Sequence, residues 1–73
     1  MELNEAIIER MKELAAERNM TIHQVTQKGG LNQATISELM SGRTKHPKVS
    51  TIQKFCDGLE MTLNDFFNNP RFY

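Results

Sequence analysis

Little in this chain of 73 residues lends itself to covalent or metal chemistry. It has one cysteine, Cys56, so no internal disulfide can close, which suits a reducing cytosol. The two histidines, His23 and His46, have no metal-ligand spacing with it. Cys56 falls on an apolar helical face, where a small buried thiol is expected rather than a nucleophile. Asp57, Glu60 and Asp65 read as caps and surface groups. Strand-period alternation is missing, and with it any strand to lead into a glycine-rich phosphate loop. No apolar run is long enough for a leader or a bilayer span, and the opening MELNEAIIERMKEL is acidic and amphipathic. The expectation is a soluble cytoplasmic protein that is not an enzyme, with no cofactor, metal, membrane or small-molecule partner.

Net charge is also lacking, but only in the sum. Residues 1–20 carry five Glu against Arg10, Lys12 and Arg18, giving −2. Residues 21–54 carry Lys28, Arg43, Lys45, Lys48 and Lys54 against Glu38, giving +4. Residues 55–73 return −2 through Asp57, Glu60 and Asp65 against Arg71. The middle of the chain is a basic island, and phosphate contact needs local cations rather than global ones. Zero net charge implies weak non-specific binding and little long-range steering.

What the chain has is helix grammar. A single domain is expected over residues 1–73, all-α with five helices. So short a chain buries only about 60% of its unfolded surface, so a net stability of about 3–5 kcal/mol is expected. Leu3, cap Asn4 and Ile8 start a first helix in which Ile7, Met11, Leu14 and Arg18 follow at helical spacing, Ile8 and Ala15 widening the stripe, with Glu–Lys and Glu–Arg neighbours on the outside. Met20, cap Thr21, Gln24 and Val25 open a second over 21–29. Gly29 and Gly30 mark a turn. Leu31, cap Asn32 and Ile36 open a third over 32–41, which ends before Gly42. A fourth spans Lys48–Leu59 with Val49, Ile52, Phe55, Cys56 and Leu59 inward; Ser50 with Gln53 offers an alternative start. Met61, cap Thr62, Asp65 and Phe66 open a short fifth helix. The tail 68–73, broken by Pro70, is expected to be non-helical.

The segment 21–42 is the centre of this arrangement. Its second helix has one narrow apolar stripe, Ile36 and Leu39, and leaves Gln33, Ala34, Ser37, Glu38 and Ser41 on other faces. Val25, Thr26, Gly30, Leu31, Ile36, Leu39 and Gly42, the RTKHPKV loop and the FCDGLEMTLNDFF ending resemble the Cro and phage-repressor type helix-turn-helix family. The likeness runs from about Ile7 to Phe67, nearly the whole chain.

That resemblance implies a sequence-specific DNA-binding regulator, a repressor acting as a homodimer on a two-fold operator in double-stranded DNA. The helix 32–41 would enter the major groove, with Asn32, Gln33, Ala34, Ser37 and Glu38 at base edges. Gln33 suits a bidentate contact to adenine, Ala34 a thymine methyl, and Glu38 the cytosine amino group. Glu38 has an alternative, pairing with Arg43 or Lys45. Thr21, Ser41, Arg43, Thr44, Lys45 and Lys48 would contact phosphate. Three positions depart from the family pattern. Ile22 stands where relatives carry a Gln that braces the recognition helix. Thr26 replaces alanine at the helix crossing, and Gly29 an apolar residue. An ion pair found in many relatives is replaced by Ala15 and Met40 together, which an apolar exchange of a buried pair permits. Phe66, Phe67, Phe72 and Tyr73 exceed what so small a core needs and are the candidates for a dimer contact, or else for a tail folded over its own core. The other function compatible with the fold is a protein-interaction module of antitoxin or antirepressor type.

Overall fold

Three of the five helices stop by the same device. In the computed structural model, which describes residues 2–44 and 46–73, the helices are α1 (Leu3–Glu17), α2 (Ile22–Gly29), α3 (Gln33–Met40), α4 (Val49–Gly58) and α5 (Leu63–Phe67). After α1, α2 and α4 one residue turns left-handed: Asn19 at φ 55°, Gly30 at 76° and Glu60 at 56°. The amide after it reaches back five residues, Met20 to Ala15 O at 2.9 Å, Leu31 to Thr26 O at 2.9 Å and Met61 to Cys56 O at 3.1 Å. This is the Schellman closure. Met20, Leu31 and Met61 then lie against the core. The next residue, Thr21, Asn32 or Thr62, caps the following helix through its side-chain oxygen. One left-handed residue, one apolar plug and one cap thus turn the chain at each joint.

Two of those caps are full capping boxes. Thr21 accepts from Gln24 N while Gln24 Oε1 accepts from Thr21 N, and Thr62 and Asp65 do the same. The first helix differs from expectation: it begins at Leu3, and Asn4 is a buried residue inside it rather than its cap.

The core gathers Ile7, Met11, Leu14 and Ala15 from α1, Val25 from α2, Ile36 and Leu39 from α3, Ile52, Phe55 and Cys56 from α4, then Leu59 and Phe66. Val49 does not join it; at 64% exposure it stands outside, because it lies at the first position of α4, beyond the reach of neighbouring helices. Gly29 is not a turn residue either. It is the last residue of α2, and its hydrogen lies against the α4 backbone. Thr26, 1% exposed, is accommodated because its hydroxyl donates to His23 O at 2.9 Å.

Arg10 is the chief surprise on α1. Expected among the solvated charges, it is 9% exposed and fastens α5 from below. Its Nε donates to Phe66 O at 2.8 Å, Nη2 to Asp65 O at 2.9 Å, and Nη1 to Glu13 at 2.7 Å. Glu13 also receives Arg71 Nη2 at 3.1 Å, which ties down the tail. That tail is helical after all: Pro70–Phe72 form a 3-10 turn, with Pro70 at its start, where a missing N–H costs nothing, and Asn69 capping Arg71 N.

The aromatic cluster settles which phenylalanines are surplus. Phe66 is fully buried, with Phe55 at 6.4 Å edge-on, so it belongs to the domain's own core and is withdrawn as a dimer residue. Phe72 folds back onto Phe66 and Phe67, with ring centroids at 6.2 and 5.0 Å. Phe67 and Phe72 are half-buried, and Tyr73 is 84% exposed, its hydroxyl donating to Asn68.

Candidate nucleic-acid interface

The placement of α3 follows from the two joints around it. Gly30 and the Leu31 plug set its angle to α2, and Asn32 Oδ1 accepts from Ala34 N at 2.7 Å. Ile36 and Leu39, 3% and 1% exposed, anchor one side. All the expected base-facing residues, Asn32, Gln33, Ala34, Ser37 and Glu38, are exposed. Thr35 shares that exposure and was not selected from the sequence, although its position between Ala34 and Ile36 on so short a helix was the available signal.

The residues selected for phosphate contact fall into three groups. Thr21, Ser41, Arg43 and Lys48 are exposed, and Thr44 is half-buried. Lys45 lies outside the described residues. Thr21 spends its backbone N–H and one oxygen lone pair on the capping box, which leaves its hydroxyl proton for another acceptor. Ser41 donates its hydroxyl to Glu38 O at 2.9 Å, so as it stands it offers a lone pair rather than a proton.

A groove runs between α3, the 42–48 connection and the start of α4. Asn32, Thr35, Glu38, Thr44, Lys48 and Lys54 are among the residues that line it. Lys48 precedes α4 without capping it by its side chain, so the first amides of that helix keep their positive end toward the groove. Glu38 makes no ion pair with Arg43; among the described residues the ion pairs are those of Glu13 with Arg10 and Arg71.

The missing brace at Ile22 is replaced one residue along. His23 Nδ1 lies 2.8 Å from Gln33 Oε1, linking the first turn of α2 to the first residue of α3. In the sequence His23 stands out only as a possible metal ligand, because the contact with Gln33 depends on a fold geometry that no local pattern shows. Among the described residues no group of three His, Cys, Asp or Glu could hold a metal, and no helix is long and apolar enough to cross a membrane.

Two helices joined at a left-handed glycine, the second half-sunk and presenting polar side chains beside a basic loop, define a helix-turn-helix domain. Comparison with known proteins agrees. Residues 10–69 match the Cro/C1-type HTH DNA-binding domain. The crystal structure of the prophage Lp1 protein 11 superposes with a TM-score of 0.88 at 37% identity, over 99% of this chain and 96% of that one. No curated protein matches the chain. The chain belongs to the Cro/C1-type helix-turn-helix DNA-binding family, and it is a DNA-binding regulator.

Proposed function

We propose that the chain is a sequence-specific transcriptional repressor that binds a two-fold operator as a homodimer, with α3 in the major groove. The observation that carries this is the division of α3. Two side chains are sunk at 3% and 1% exposure, while Asn32, Gln33, Ala34, Ser37 and Glu38 stand free beside exposed Arg43 and Lys48. An α-helix fits a groove about 12 Å wide, and side chains at its N-terminal end reach base edges first. Gln33 reads adenine, Ala34 a thymine methyl and Glu38 cytosine. Thr21, Ser41, Arg43, Thr44, Lys45 and Lys48 hold phosphates on either side, Ser41 after releasing Glu38 O.

A lone domain reads one half-site, and dimers of this motif span half-sites about 34 Å apart. The α5–tail face, with Phe67, Phe72 and Tyr73, is the proposed isologous contact. Selecting bound sites from random duplexes tests class and symmetry together: the expected product is a palindromic consensus.

The alternative, an antitoxin- or antirepressor-like interaction module, is favoured by one feature. Leu3, Pro47, Val49 and Phe67 line an apolar groove on the flank of the domain. A log–log salt slope near zero for duplex binding would support that alternative.

A further inference from the structure

His23 and Gln33 are exposed side chains, ten residues apart, that meet in a hydrogen bond of 2.8 Å between Nδ1 and Oε1. An amide oxygen only accepts, so Nδ1 carries the proton in this arrangement. We propose that His23 is a specificity-determining residue: it fixes which end of the Gln33 amide faces a base, and it makes discrimination at that base pair depend on pH. The proposal rests on the reading of Gln33 as a base contact.

A glutamine amide has two unlike ends, and its terminal torsion is broad. On an exposed helix start it turns over freely, presenting either the oxygen or the amino group. Adenine offers an acceptor at N7 and a donor at N6, so only one orientation of the amide matches it. Turned over, the Gln33 oxygen would face N7, acceptor against acceptor. A partner that holds Oε1 removes that second orientation.

The imidazole holds it differently in its two charge states. As an imidazolium, His23 is a donor at both nitrogens, so only Oε1 can face Nδ1. As a neutral ring it has two tautomers. One donates from Nδ1 and keeps the observed arrangement. The other presents a lone pair there, which the Gln33 amino group satisfies with the amide reversed. Protonation therefore selects one amide orientation where the neutral ring permits two.

Little else surrounds the ring. Among the described residues Gln33 is its hydrogen-bond partner, and no ion pair reaches it. Lys28 on α2 and Glu38 on α3 are each five residues along from the pair, about 7.5 Å of helix rise away. Glu17 and Arg18 at the end of α1, and Lys54 and Asp57 on α4, make no bond to it; α4 meets α2 at Val25 and Gly29.

The readout is discrimination rather than affinity, because a new positive charge beside DNA tightens binding to every duplex. The full chain is titrated against a duplex selected from random sequence and its three variants at the base pair that Gln33→Ala desensitises, from pH 5.5 to 8. The expected wild-type preference is about threefold or more stronger at the acid end. His23→Ala has a weaker preference that does not change with pH. His23→Arg, which keeps a donor-only partner that does not titrate in this range, restores preference with no pH dependence. If wild type and His23→Ala share one pH-flat preference while Gln33→Ala abolishes it, the role of His23 is overturned and that of Gln33 stands. If Gln33→Ala desensitises no base pair, the base-reading assignment itself is overturned and this inference falls with it.

Discussion

Gly29 and Gly58 face each other's helices across one seam. A Cβ on Gly29 would lie 1.9 Å from Lys54 O, and one on Gly58 would lie 2.2 Å from Val25 O. Backbone thus rests on backbone between α2 and α4, and this seam fixes the helix from which α3 is hung. Glycine within or at the end of a helix usually costs stability relative to alanine. Here the sign reverses. Gly29→Ala and Gly58→Ala should each destabilise the fold by about 1–3 kcal/mol or more, as overpacking against an unyielding backbone does. Urea unfolding of the two variants checks this, and a stabilised variant would mean the helices are not in that contact.

The left-handed joints give the opposite expectation. Glu60, at φ 56°, occupies a conformation that costs a side-chain-bearing residue about 1 kcal/mol. It is exposed and forms no ion pair among the described residues. Glu60→Gly should therefore raise stability by up to about 1 kcal/mol, less what glycine adds to unfolded-chain entropy. A thermal melt showing a lower midpoint would contradict it.

Arg10 and Glu13 set the behaviour in acid. The Glu13 carboxyl is held below its ordinary value of 4.5, first by the hydrogen bond from Arg10 and then by that from Arg71. A carboxylate whose folded pKa is lowered contributes its stabilisation fully above the ordinary value and loses it as pH falls through the lowered one. The loss should therefore fall below pH 4.5, and Glu13→Gln should flatten the pH dependence of stability there. Arg10→Met should cost more, about 2–3 kcal/mol, because it also strands the carbonyls of Asp65 and Phe66.

Cys56 should be inert. Burial, with Asp57 adding to it, pushes the thiol up to about 11, and the side chain is 1% exposed between Ile52, Phe55 and Leu59. Labelling by a thiol reagent near pH 8 should proceed only through unfolding, and should slow in proportion to native stability. Reaction of the native protein at the rate of the unfolded chain would show an accessible thiolate.

How much of this could be read beforehand depended on the range of each interaction. Thr21 with Gln24 and Thr62 with Asp65 were legible because a capping box closes within four residues. Ile36 and Leu39 were legible because helical spacing leaves them no other side. Val49 looked inward by the same spacing, yet periodicity knows nothing of where the neighbouring helix stops. Arg10 was misjudged because its acceptors lie 55 and 56 residues away. Gly29 resembled a turn signal because its true neighbour, Lys54 O, lies on another helix, far outside any local pattern. In the site, exposure along α3 followed the pattern, while the His23–Gln33 bond needed the angle between two helices.

The central claim is that α3 reads bases while the basic loop beside it only holds phosphate. Its most direct test compares Gln33→Ala with Lys48→Ala on the selected duplex and on a scrambled one, at several salt concentrations. Gln33→Ala should lose about 1–3 kcal/mol on the selected duplex, lose preference at one base pair, and keep the salt slope. Lys48→Ala should weaken both duplexes alike and lower the slope by about one phosphate's worth. Equal weakening of both duplexes by Gln33→Ala would contradict the claim.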